Sequence, residues 1–552
     1  MLMKKILRLF ALPAMIVITW SSCKKDKGNY NYDTANVITI STDMANVNPS
    51  VVVTNDSIIV KQNDSLTVNI LLSQTKPTTN LSFQWLIIQN AAFVANPSQY
   101  VVGNTQQLKT KIVLPPNLYK LLVKVTDNTT GVSFYKFYSL NVDTSPWGGE
   151  GWVVLQDQTS QGGCDISVIT SRDGAVHGNI YSNLYSLANL HKLPLNTYRV
   201  NVMNYLATLR IQKVSFFYPN GGVQVKSTDF SDSSVHSSWF LVTPSAFNFQ
   251  QNGMVSGGQY EYVFNNNDLT YRRVNSITLQ TPPIKFGAPI QGSWTFSPFV
   301  MNNSGNEFYY TLYDQANKCF VLFNVETNTL IPNNRPDVPN SHFVPYAGGA
   351  AALNPTTGSG FDLNNIGRNL VYTENAQPLI TGNQPVYDCF FRNNAGDSTF
   401  LYQLPVYLAY SNNFTTGRFF LPQSNNPGIN SATMFACPTF LTMPGKFYYV
   451  NTNKIYVCSV GNLATSTSAV GYTFPTGTII KSMKVFKSGY TSAPATDSKV
   501  LVVATDETSS GGGNKVYFLN LSATGTINAT PADVYTGFDK IVDIAFKKGL
   551  GL

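Results

Sequence analysis

Cys23 carries the most specific chemistry in the chain: Ser21-Ser22 precede it, and before them an apolar run from Leu9 to Trp20 follows the basic residues Lys4, Lys5 and Arg8. The run is too short to span a bilayer comfortably, and small residues before a cysteine are what a lipoprotein signal peptidase cleaves. Cleavage leaves Cys23 first, with a diacylglycerol on its thiol and an acyl chain on its amine, a lasting anchor to a membrane. The remaining cysteines, Cys164, Cys319, Cys389, Cys437 and Cys458, are widely spaced without a Cys-x-x-Cys pair. Neither zinc nor a redox motif is indicated. Cys319, Cys389 and Cys458 sit in apolar strand-like runs, where a thiol acts as a small buried hydrophobe. His177, His191, His236 and His342 lack metal-ligand spacing, so no metal site is expected, and no cofactor is implied. The sequence contains neither a Gly-x-Ser-x-Gly elbow nor a phosphate-cradling Gly-x-x-x-x-Gly-Lys, and Gly511-Gly512-Gly513-Asn514-Lys515 reads as a hairpin loop. Glycosidases need two carboxylates about 5 to 10 Å apart. The glutamates Glu150, Glu261, Glu307, Glu326, Glu374 and Glu507 are scattered, the fourth and last in turn-like contexts. No catalytic residue is assigned.

The elements that must position any site follow from composition. The chain has 552 residues, of which 12% are charged and 13% aromatic. Helices usually solvate their outer faces with Lys and Glu, so a chain rich in Tyr, Phe, Asn, Ser and Thr favours strands. The net charge of +8 is thinly spread and loses three basic residues with the leader, so nucleic acid is not an implied partner. The feature left to explain is aromatic abundance at low charge. Sugars present C–H faces that stack on Trp and Tyr, while amides satisfy their hydroxyls. Trp239 in Ser-Ser-Trp-Phe, Trp294 in Gly-Ser-Trp-Thr-Phe, and Tyr271-Arg272 are the candidate ligand-binding residues.

The expected fold class is all-β. Residues 1–22 read as the leader and 23–36 as a flexible tether. Between 37 and 145, apolar/polar alternation recurs in short runs, including 57–60, 65–72, 81–88, 119–125 and 133–142. About seven strands in so short a span fit an Ig-like sandwich, with Trp85 in its core. Thr144-Ser-Pro-Trp-Gly-Gly-Glu150 breaks the pattern, and from 151 to 552 two-strand units recur across Asn, Asp or Gly turns. At roughly 40 to 60 residues per four-stranded blade, this length makes a β-propeller of about seven or eight blades. The strand-like run Ile541 to Phe546 could complete a sheet with Gly151 to Leu155. Two stacked sandwiches are the competing architecture.

Phe83-Gln84-Trp85, the strand ending Val125-Thr126-Asp127 and the turn ending at Gly131 together resemble a PKD-type domain. With the start Cys23-Lys-Lys-Asp-Lys-Gly-Asn-Tyr-Asn-Tyr-Asp, they resemble the PKD-like family lipoproteins of Bacteroidota. The resemblance covers about the first 155 residues. It implies an outer-membrane lipoprotein accompanying a TonB-dependent transporter and a SusD-like lipoprotein; the cell surface is favoured over the periplasmic face, with both open because Asp26 is the one acidic residue among Lys24, Lys25 and Lys27. The implied role is non-catalytic: binding glycan or peptide, or serving as an accessory of nutrient uptake. The alternatives are a propeller-based polysaccharide hydrolase or lyase, and a purely structural brace of a transporter complex.

Overall fold

The structure is a computed structural model. It describes residues 35–549 apart from 47–50, 55, 63, 90–98, 115, 144, 206–210, 256–259, 275–284, 291–293, 303–308, 325–328, 332–360, 362, 364, 380–385, 405–416, 462–465 and 490–492. Cys23 and the tether lie outside the described residues. The chain divides into two compact units, Met1–Asp143 and Thr144–Leu552. Among the described residues no helix is long and apolar enough to cross a membrane.

The first unit is a sandwich of a three-stranded and a six-stranded sheet. Alternation builds it: along Asn117–Asp127, Tyr119, Leu121, Val123 and Val125 point inward while their neighbours do not. Trp85 is fully buried, stacks on Tyr138 at 6.3 Å and donates its indole N–H to the Thr105 carbonyl at 2.8 Å. The turn read from Asp127 to Gly131 is real: Asp127 Oδ1 accepts from Thr129 N at 2.9 Å, and Gly131 N donates to the Asp127 carbonyl with φ at +73°. A glycine reaches that φ without cost. Three strands escape the sequence pattern: Val52–Thr54, Gln99–Gly103 and Gln107–Lys111. They lie at sheet edges, where half-exposed polar residues blur alternation.

The second unit is a β-propeller, with seven blades among the described residues. Seven sheets follow one another, six four-stranded and one three-stranded among the described residues. The two-strand units read from sequence form antiparallel pairs, such as Tyr309–Asp314 with Cys319–Asn324 and Lys446–Asn451 with Lys454–Val460. Numbering the blades from Gly151, the innermost strands of blades 2 to 7 are Arg199–Tyr205, Phe249–Val255, Met301–Asn302, Asn369–Ala376, Phe435–Ala436 and Ile479–Val485. Blade 1 takes its innermost strand from the far end of the sequence: Lys540–Lys547 pairs antiparallel with Gly151–Gln158, Gly151 opposite Lys547 and Leu155 opposite Asp543.

The hydrophobic cores show why the ring holds. Each of seven apolar clusters lies between successive blades, from Val153, Val214 and Phe216 between blades 1 and 2 to Trp152, Phe518 and Ile544 between blades 7 and 1. Both faces of a blade are therefore covered, and its middle strands are buried without alternation, as in Gly163–Ile169, Tyr260–Asn265 and Thr399–Leu404. A stacked sandwich buries only one face of each sheet, so these strands exclude it. The five described cysteines are free. Cys389 and Cys458 are fully buried as apolar packing, as expected, while Cys319 is half-buried.

Candidate functional site

Among the described residues, seven inner strands around one axis leave a space that no side chain fills. A cavity of about 700 Å³ lies there, and every blade contributes to its wall. Asp543 comes from blade 1, Arg199 from blade 2, Gln251 from blade 3, Phe299 from the lead-in to blade 4, Glu374 from blade 5, Met434 from the lead-in to blade 6, and Ser482 from blade 7. The volume and the mixture of aromatic, amide and charged groups suit a small ligand.

The charges in this wall are mostly paired. Lys487 donates to Glu374 at 2.8 Å and to the Asn375 carbonyl at 2.6 Å. Lys484 lies 3.2 Å from Asp543, and Lys481 lies 3.8 Å from Asp506 on the next strand of its own blade. Asp543 also accepts from Ser482 Oγ at 3.1 Å and from Val200 N at 3.3 Å, so one carboxylate links blades 7, 1 and 2. Glu374 accepts from Cys437 N at 2.8 Å and Tyr372 OH at 3.2 Å. Arg199 differs: its Nη1 donates to Gln251 Oε1 at 2.6 Å and to the Gln250 carbonyl, both neutral.

Behind the wall, Glu374 stands cross-strand from Asp388 in blade 5. Asp388 is fully buried and accepts from Gln403 Nε2 at 2.8 Å. The Lys487 ammonium, the Glu374 carboxylate and the Cys437 thiol surround it, and burial pushes its carboxyl up to about 7. An unfolded aspartate ionises near 4, so the folded state gains from protonated Asp388 at low pH and loses that gain as pH rises from about 4 through 7. Asp388→Asn keeps the shape without the charge. We expect it to melt several degrees above the parent at pH 8 and level with it near pH 4; parallel melting profiles from pH 4 to 8 would show that this carboxyl is not shifted.

The structure does not gather the four residues expected to bind ligand, and none of them lines the axial cavity. Trp239 is 1% exposed, wedged among Phe217, Phe240 and Phe249 between blades 2 and 3, with its indole N–H on Ser234 Oγ at 3.0 Å. Its ring is structural and cannot receive a sugar. Arg272 is buried too: it donates to Glu261 Oε2 through Nε at 2.8 Å and Nη2 at 2.6 Å, while Tyr205 OH and Gln224 Nε2 complete the carboxylate's partners. Glu261 and Arg272 belong to blade 3 and Tyr205 and Gln224 to blade 2, so the Glu261 carboxylate, together with an Arg272 Nη2 bond to Gln224 Oε1 at 3.4 Å, fastens blade 3 to blade 2, and Arg272 is taken up in that contact. Tyr271 and Trp294 are half-buried against the core between blades 3 and 4, Tyr271 beside Phe323 and Trp294 stacked on Phe296. No short motif joins the wall residues Arg199, Lys484 and Asp543 to one another or to Glu374, which stands in the sequence as one scattered glutamate; only ring closure brings them to one axis.

A family model described as the PKD-like family matches residues 23–193. No curated protein matches the chain. Among solved structures, the chain is similar to a "Quinonprotein alcohol dehydrogenase-like protein" from Bacteroides thetaiotaomicron, at 12% identity and TM-score 0.35, over 86% of this chain and 95% of that one. It is also similar to a protein of unknown function from the same organism, at 10% identity and TM-score 0.28, over 86% and 96% of the two chains. A third is the β-propeller domain of Cps50 (Swd1) from Myceliophteria thermophila, at 9% identity and TM-score 0.30, over 62% and 87%. The PKD-like family match thus runs through the first unit and into the first blade of the propeller.

Proposed function

We propose that this protein is a lipid-anchored, non-catalytic component of an outer-membrane nutrient-uptake system, in which the propeller holds a glycan or peptide ligand in its axial cavity. One observation carries the reading: the cavity is of ligand size and draws on all seven blades, and the two acids among its described wall residues are each engaged by a lysine, Glu374 by Lys487 and Asp543 by Lys484. Carboxylates held this way fix the wall and offer hydrogen bonds; they are poorly placed to shuttle protons. Acylation at Cys23 supplies the anchor, and the uptake partners are a TonB-dependent transporter and a SusD-like lipoprotein. The rival reading, polysaccharide cleavage, would draw on Glu374 with the proton-holding Asp388, but Asp388 stands behind the wall and not on it.

The test has two parts. Titration of the purified protein with a panel of oligosaccharides and peptides, followed by tryptophan fluorescence, should report a ligand through Trp152, which borders the cavity. Turnover of a bound oligosaccharide that is lost on Glu374→Gln would replace binding with catalysis. Cys23→Ser is expected to move the protein from the membrane to the soluble fraction, with loss of transporter co-purification; unchanged membrane association would remove the anchor.

A further inference from the structure

We infer that the axial cavity recognises a carboxylate, with Arg199 as the docking cation; the inference rests on the cavity being the ligand site. Among the described residues of the wall, four cations, Arg199, Lys481, Lys484 and Lys487, face two acids, Glu374 and Asp543. Each lysine has a carboxylate within 4 Å: Asp506, Asp543 and Glu374 respectively. Arg199 has none among the described residues, and its bonds to the Gln250 carbonyl and Gln251 Oε1 both use Nη1. Nη2 and Nε therefore remain as a planar pair of donors, the fork that matches a carboxylate bidentately. A guanidinium in such a wall is favourable only when an anion or water meets it.

The surroundings define the rest of the ligand. Arg199 sits on the innermost strand of blade 2, so the sheet holds its position. Gln251 and Asn201 stand beside it on the wall and can address hydroxyl or amide groups, and Phe299 offers an apolar face. Asn201 is oriented by its own bond to Asn252 Oδ1 at 2.9 Å. A carboxylate carried on a polar body fits this arrangement, either a uronic acid residue of an acidic glycan or the C-terminus of a short peptide. An uncharged sugar, the ligand class that aromatic composition suggests, leaves the guanidinium without its counter-charge.

The experiment is isothermal titration of the full-length protein with four probes: digalacturonate, its neutral counterpart galactobiose, N-acetyl-trialanine, and its neutral counterpart N-acetyl-trialanine amide. We expect one acid to bind about tenfold or more tightly than its own neutral counterpart, as a charge-assisted bidentate contact requires. The galacturonate and peptide arms identify which source of carboxylate the site takes. Arg199→Gln should abolish the preference at an unchanged melting temperature, and Arg199→Lys should restore only part of it, because the charge returns without the fork. If a neutral probe binds as tightly as its acid, or Arg199→Gln keeps the preference, the carboxylate inference falls while the cavity survives as a binding site. If none of the four probes binds the parent protein, both fall. Should Arg199→Gln melt early, Arg199→Lys and competition by acetate against the bound acid decide the matter: no competition overturns the inference.

Discussion

A chain that stops at Asp539 is expected to lose its folded propeller. The truncation removes Lys540–Lys547, the innermost strand of blade 1, and with it the ladder to Gly151–Gln158. Ile541 and Ile544, both buried in the core between blades 7 and 1, go too. Full burial of two such side chains is worth about 3 to 6 kcal/mol, and opening the sheet exposes Trp152 and Phe486 besides. The sum approaches the 5 to 15 kcal/mol that typically separates folded from unfolded domains. Near-UV circular dichroism and limited proteolysis should show residues beyond 144 digested rapidly, and a synthetic peptide spanning 540–549 should restore resistance by reoccupying the groove. A truncated chain that melts like the parent would mean that closure through this strand is not what holds the ring.

Breaking the Glu261–Arg272 pair carries the second-largest expected cost. Both side chains are buried, and the carboxylate collects Arg272, Tyr205 and Gln224. Removing one partner strands the other charge, which costs about 3 to 5 kcal/mol, whereas removing both leaves no uncompensated charge. Glu261→Gln and Arg272→Met should each lower the urea midpoint of the propeller transition sharply, and the double variant should recover much of the loss. Added salt should change the difference little, since a buried pair is only weakly screened. Losses that simply add in the double variant would show that the two residues do not act as a unit.

Much of the fold can be read in the sequence, because it is written in local pattern. Trp85 amid alternating residues, Asp127 four positions before Gly131, and the paired strands on either side of Asn451 to Asn453 all declare themselves within a dozen residues. Even the closing strand shows, as an apolar run with no partner nearby. The short elements do not: Ile180–Tyr181, Met301–Asn302 and Phe435–Ala436 are too brief to have a period. The site is less legible still. Trp239 looks like a binding platform because exposed and buried tryptophans share one letter, and its burial is decided by Phe249 and Phe240 across a blade interface. Arg199 and Lys484 belong to one cavity only because seven blades close, a fact with no signature at either residue.

The order of synthesis gives the closing strand a further meaning. Lys547 reaches back to the Gly148 carbonyl, 399 positions earlier, and the two halves of blade 1 are as far apart in time as in sequence. The second half emerges only after an interval that spans almost the whole second unit. Throughout it the nascent chain carries the unpaired border of Gly151–Gln158, a template for any stray strand. Blades 2 to 6 can mature meanwhile, but the seal waits for the last segment, which makes that interval the one in which this polypeptide most needs a holding chaperone.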